Sequence, residues 1–170
     1  MDLAESASEL LRRRDLDQEV RKNAPGRRWT EQEREQCRAV DADNTRWLAA
    51  LVAEYGWPRI SDVGLDAAHA AWLIAQHADA DPVQQRIFLA LMRDAVADGE
   101  ARLKDLAYLE DRCLRNADQP QLYGTQLVLA DDGEIAPAPL AEPQAVDERR
   151  AAVGLGSLAD YLELVRDHNR

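Results

Sequence analysis

The chain has no run of about 18 apolar residues, so no segment reads as a bilayer-spanning helix. It also has no positively charged start followed by an apolar block. It opens Met1-Asp2-Leu3-Ala4-Glu5, which is not the pattern of a signal peptide, and a cytoplasmic location is expected. Cysteine is scarce: Cys37 and Cys113 stand alone, outside any CxxC or Cys/His spacing, so two reduced thiols packed as small hydrophobes are expected rather than a bridge or a zinc site. Positive charge is in deficit, with 21 Lys and Arg against 32 Asp and Glu and a net charge of −11. Such a chain repels a phosphate backbone, and nucleic acid is excluded as a partner. There is no His-Glu-x-x-His frame, and Ser61 and Ser157 fit a loop and a cap rather than a nucleophile elbow. His69 and His77 are eight residues apart, about 12 Å along a helix, too far to share one ion. No metal and no cofactor are expected.

What is present is helical periodicity over most of the 170 residues. A helix is expected from about Leu3 to Lys22 with Leu10 and Leu11 inward, stopped at Asn23-Ala24-Pro25-Gly26. Thr30 and Glu33 form a capping box for a second, long helix whose stripe runs Cys37, Val40, Asn44, Leu48, Leu51 and Val52 to Gly56. A third helix, roughly Leu65 to Ala78, is apolar around most of its circumference and should be central. Asp81-Pro82 starts a fourth, which packs Ile87, Phe88, Leu91 and Ala95, and a fifth runs near Leu103 to Arg115. After Pro120 the period changes, and Leu122 to Leu129, the turn Asp131-Asp132-Gly133 and Glu134-Ile135 read as a hairpin. Two short helices, around Asp147 to Val153 and after Ser157, close the chain. No repeat and no interdomain linker appears. The expectation is one mainly α domain over residues 1–170, a bundle of six to eight helices with a small β-hairpin near 122–136 and a peripheral helix and loop at 1–28.

The polar residues that break this pattern are the candidate site. Ala70, Leu73, Ile74 and His77 share one stripe, so the imidazole points inward, where it needs partners. A partly buried imidazole beside a carboxylate is the usual general base near neutral pH. Asp111 is the expected orienting carboxylate and Tyr123 the third catalytic group, with Gln76, Asp79, Gln84, Arg112, Gln121, Thr125 and Gln126 binding the substrate. Gly124 permits close backbone approach, and the amides and hydroxyls around it both donate and accept. Arg112, Arg149 and Arg150 are natural clamps for a carboxylate, so a pocket that one of them faces would take an anionic molecule.

The ordered motifs Asp43-Asn44-Thr45-Arg46-Trp47-Leu48, Gly56-Trp57-Pro58, Val63-Gly64, Gln76-His77-Ala78-Asp79, Ala107-Tyr108-Leu109-Glu110-Asp111-Arg112, Gln121-Leu122-Tyr123-Gly124-Thr125-Gln126 and Val146-Asp147-Glu148-Arg149-Arg150 carry a resemblance. From about Asp17 to Tyr161 the chain resembles a widespread bacterial family classed only as a domain of unknown function. One departure is Leu65-Asp66 after Val63-Gly64, where a glutamate pair is the pattern. The resemblance implies a stand-alone cytoplasmic bacterial protein and brings no named activity.

The residues themselves point to a cofactor-independent enzyme that does acid–base chemistry, of hydrolase or isomerase type, on a polar small molecule or peptide-derived group. The alternative is a non-catalytic binding module of immunity or sequestering type, whose acidic surface steers a basic partner.

Overall fold

The structure is a computed structural model that describes residues 3–22, 29–129 and 135–168. Eight α-helices are present among them: α1 (Leu3–Arg21), α2 (Glu31–Tyr55), α3 (Ile60–Val63), α4 (Leu65–Gln76), α5 (Pro82–Ala97), α6 (Leu103–Asn116), α7 (Val146–Ala152) and α8 (Leu158–His168). The only regular strands among the described residues are β1 (Leu127–Leu129) and β2 (Ile135–Pro137), paired antiparallel with Leu127 opposite Pro137 and Leu129 opposite Ile135. The chain is thus mainly α with a small hairpin, and no described helix is long and apolar enough to cross a membrane. It divides into two compact units, 1–106 and 107–170, each considered by itself.

Local chemistry starts the helices of the first unit. At α2, Thr30 Oγ1 accepts from Glu33 N at 3.2 Å while Glu33 Oε2 accepts from Thr30 N at 2.8 Å, the reciprocal box the sequence spells. At α5, Asp81 Oδ1 accepts from Gln84 N at 3.0 Å and Pro82 takes the first turn, where its missing N–H leaves nothing unpaired. The loop expected at 59–64 contains the single turn α3, and Gly64, at φ +83°, joins it directly to α4.

The third helix of the sequence reading is α4, which buries Ala67, Ala68, Ala70, Ala71, Ile74 and Ala75 and packs against α1, α2, α3 and α5. Its small side chains let those helices approach closely, and Leu10, Leu48, Phe88 and Met92 fill the space around it. Each of those larger side chains contributes about 1.5–3 kcal/mol by leaving water. The helix expected at the periphery, α1, is part of this core: it buries Ser6, Leu10 and Asp17 and packs on α2 and α4.

In the second unit the expected strand from Leu122 is shorter at its start. Residues 122–126 form no regular strand because side chains take over their backbone bonds. Gln121 acts as an extra peptide group, its Oε1 accepting from Gln126 N at 2.9 Å and its Nε2 donating to Gln126 O at 2.9 Å and Ala138 O at 2.8 Å. The expected turn Asp131-Asp132-Gly133 and the stop at 23–26 lie outside the described residues.

Candidate functional site

His77 is the residue immediately after α4, at φ −99° and ψ 9°, with its N–H still bonded to Leu73 O and Ile74 O at 3.2 Å. Its ring does turn inward. Nδ1 lies 2.8 Å from Oδ1 of Asp17, a fully buried carboxylate on α1. Asp17 also accepts from Arg21 Nη1 at 2.7 Å and from Gln18 Nε2 at 2.8 Å. A carboxylate that accepts from two other donors leaves the ring's Nδ1 as donor, so the neutral imidazole carries its free lone pair on Nε2.

Arg21 extends this pair to α2, where Nη2 reaches both oxygens of Asp41 at 2.6 and 2.8 Å. Burial outweighs the Arg21 bond and holds the Asp41 carboxyl above its ordinary value of 3.8. Folding therefore makes Asp41 hold its proton more readily than it does in the unfolded chain. That contribution is fully present below pH 3.8 and is lost as pH rises through the raised value, the reverse of an ordinary salt-bridged aspartate. Urea midpoints of wild type and Asp41→Asn measured from below pH 3.8 to neutrality are expected to shift progressively in favour of the variant. A difference that does not change with pH would contradict the assignment. Cys37, one turn before Asp41, is pushed up by the same burial and stays a neutral thiol rather than a nucleophile.

The end of α4 is anchored by Gln85, fully buried on α5, whose Nε2 donates to Ala75 O at 3.1 Å, Gln76 O at 3.3 Å and Asp79 Oδ1 at 3.2 Å. It fixes the turn from which His77 projects. Gln84, the inward amide of the sequence reading, is only half-buried, and Ile87 is exposed. The inward face of α5 is Gln85, Phe88, Leu89, Met92 and Ala95: Phe88 and Ala95 are buried as the sequence predicts, while Gln85 and Met92 take the places expected for Gln84 and Leu91. Gln76 is buried, whereas Asp79 is exposed and serves as an acceptor for Gln85.

Asp111 has a different task from the one expected. Fully buried on α6, it accepts from Leu122 N at 2.7 Å, Tyr123 N at 3.1 Å, Thr125 N at 2.9 Å and Thr125 Oγ1 at 2.9 Å. These donors occupy its carboxylate, and the partner of His77 is Asp17. Thr125 is thereby engaged, and Gln126 Nε2 donates to Thr125 Oγ1 at 3.0 Å. Tyr123 Oη approaches Glu110 Oε2 at 3.4 Å; burial first, and then that carboxylate, push its hydroxyl up, so it stays protonated as a donor. Gly124, at φ +70°, sits where an added Cβ would come within 2.9 Å of Leu158 Cδ1. The cations of the final motif hold main chain: Arg149 donates to Leu122 O at 2.7 Å and Ala141 O at 2.6 Å, and Arg150 to Gly156 O at 2.6 Å and Tyr123 O at 2.7 Å. Arg112 is half-buried on α6.

A second histidine pair lies in the first unit. His69 Nδ1 meets Asp105 Oδ2 at 2.7 Å and its ring stacks on Trp72 at 4.7 Å, beside a cavity of about 10 Å³, room for one water. As for metals, one set among the described residues brings ligating atoms within 4.8 Å of one another: Asp17, Asp41 and His77, from α1, α2 and the end of α4. Arg21 already bridges the two carboxylates, so an ion there must displace a doubly bonded guanidinium.

Asp17, Arg21, Asp41 and Gln85 were not among the candidates read from the sequence. The usable signal was Asp17 seven residues after the buried Leu10, which puts an acid on the inward face of α1 with Arg21 one turn beyond.

The fold and site together define a helical protein with a buried histidine–carboxylate–arginine cluster at the end of its central helix. The chain belongs to the family of unknown function DUF6624, whose model matches residues 4–169. No curated protein and no solved structure matches it.

Proposed function

We propose that this protein is an enzyme of acid–base type, a hydrolase or isomerase of a polar small molecule or peptide-derived group, with His77 as its base. The observation that carries the reading is the 2.8 Å bond from His77 Nδ1 to Asp17, a carboxylate itself held by Gln18 and Arg21. A buried acid on one ring nitrogen fixes tautomer and orientation and stabilises the positive charge when Nε2 takes a proton. The C-terminal end of α4 adds a partial negative charge in the same place. Asp17 is a positioning residue; His77 is the catalytic one. The two buried free thiols, Cys37 and Cys113, agree with a reducing compartment such as the cytoplasm.

The test is a panel of hydrolase and isomerase substrates screened with wild type and His77→Gln. The variant is expected to lose about 10²–10⁴-fold in kcat/KM, while keeping the wild-type circular dichroism spectrum. A folded His77→Gln protein of undiminished activity would overturn the assignment. The alternative, a non-catalytic binding module, draws on α5, where Val83 and Ile87 stand 62% and 46% exposed on one face.

A further inference from the structure

Asn44 of α2 is 3% exposed, and its orientation is fixed. Oδ1 accepts from Arg13 Nη1 at 2.9 Å, which leaves Nδ2 as the outstanding group, and that nitrogen has no partner among the described residues. A buried donor without an acceptor costs about 1–3 kcal/mol, and folded proteins keep few of them.

Its position ties it to the cluster around His77. Asn44 follows Asp41 by three residues on α2, and its partner Arg13 precedes Asp17 by four on α1, so each pair shares a helix face. The unpaired donor therefore lies in the α1–α2 seam, about 4.5 Å from Asp41 along the axis of α2.

Charge narrows the ligand. Asp17 and Asp41 face one cation, Arg21, so with both carboxylates ionised and a neutral imidazole the cluster holds a net charge of −1. Arg13 is committed to Glu9 and Asp43, each at 2.8 Å. An incoming carboxylate or phosphate meets repulsion with no free guanidinium to offset it. The acceptor that Asn44 needs is then an oxygen without formal charge.

We propose that Asn44 Nδ2 is the hydrogen-bond donor to the carbonyl oxygen of the substrate, and that this substrate is an uncharged or cationic amide or ester. This rests on the reading of His77 as base and replaces the anionic molecule expected from the sequence.

The test uses the full chain, isotopically labelled, titrated with N-methylacetamide and separately with acetate. The amide is expected to shift the Asn44 side-chain NH₂ resonances together with the His77 ring, and acetate is expected to bind at least about tenfold more weakly, 1.4 kcal/mol or more. Asn44→Asp keeps an acceptor for Arg13 and removes the donor, so it should weaken amide binding by a similar factor. His77→Gln should leave that binding intact, which separates recognition from catalysis. Asn44 resonances that stay still in wild type overturn the proposal whether or not the variant folds. So does acetate binding as tightly as the amide, or a high-resolution structure in which Nδ2 holds only an ordered water that the amide does not displace. If the amide shifts Asn44 as expected but His77→Gln retains full activity, recognition stands and the base assignment falls.

Discussion

Replacing Asp111 with alanine is expected to destabilise the protein by about 3–5 kcal/mol. One fully buried carboxylate accepts three backbone N–H groups and a hydroxyl from residues 122–125. Alanine removes every acceptor at once and leaves four donors in a place water reaches poorly. Asp111→Asn should cost less, about 2–3 kcal/mol, because one oxygen still accepts while the new NH₂ faces N–H groups. Urea denaturation followed by circular dichroism measures both, with the midpoint moving and the slope unchanged. A loss below 1 kcal/mol for the alanine variant would show that the loop does not depend on this carboxylate.

Arg21→Met comes next, with an expected loss of about 3–5 kcal/mol at neutral pH. The methionine keeps the aliphatic bulk but leaves Asp17, fully buried, and Asp41 without their shared counter-charge. Removing one partner of a buried ionic group costs more than the pair contributes, because the orphaned charge stays desolvated. Adding Asp41→Asn to Arg21→Met should therefore recover part of the loss. A strictly additive double variant would mean that the two residues do not interact.

Features of this fold that depend on neighbours in the chain were legible in the sequence. The box Thr30–Glu33, the start at Asp81-Pro82 and the end of α2 at Gly56 are written within a few residues, and all three occur. The all-round apolar character of the third predicted helix correctly gave α4 its central position within the first unit. Errors arose where one long-range bond outweighed a local pattern. Leu122 to Leu129 alternates like a strand, yet Asp111 draws the first part of it into a loop. On α5 a step of one residue rotates the face by about 100°, enough to exchange Gln84 for Gln85 as the inward amide.

For the candidate site, the inward turn of His77 was readable from its stripe, but its partner was not. Asp111 is the carboxylate expected from the sequence because Asp79, two residues from His77, points elsewhere on a continuous helix and Asp81 caps the next one. Asp17 is sixty residues from His77 in the chain, and only the packing of α1 against α4 brings them together. Likewise the polar residues at 121–126 and 149–150 stood out in the sequence for their chemistry, and in the structure their bonds go chiefly to main chain.

The most direct test of the central claim is nitrogen and proton NMR of the His77 ring in wild type and Asp17→Asn. The account requires the Nδ1–H tautomer in wild type, with a Nδ1 proton shifted far downfield by the buried carboxylate and lost or moved upfield in Asp17→Asn. A wild-type ring protonated on Nε2, or a Nδ1 signal indifferent to Asp17→Asn, would contradict it.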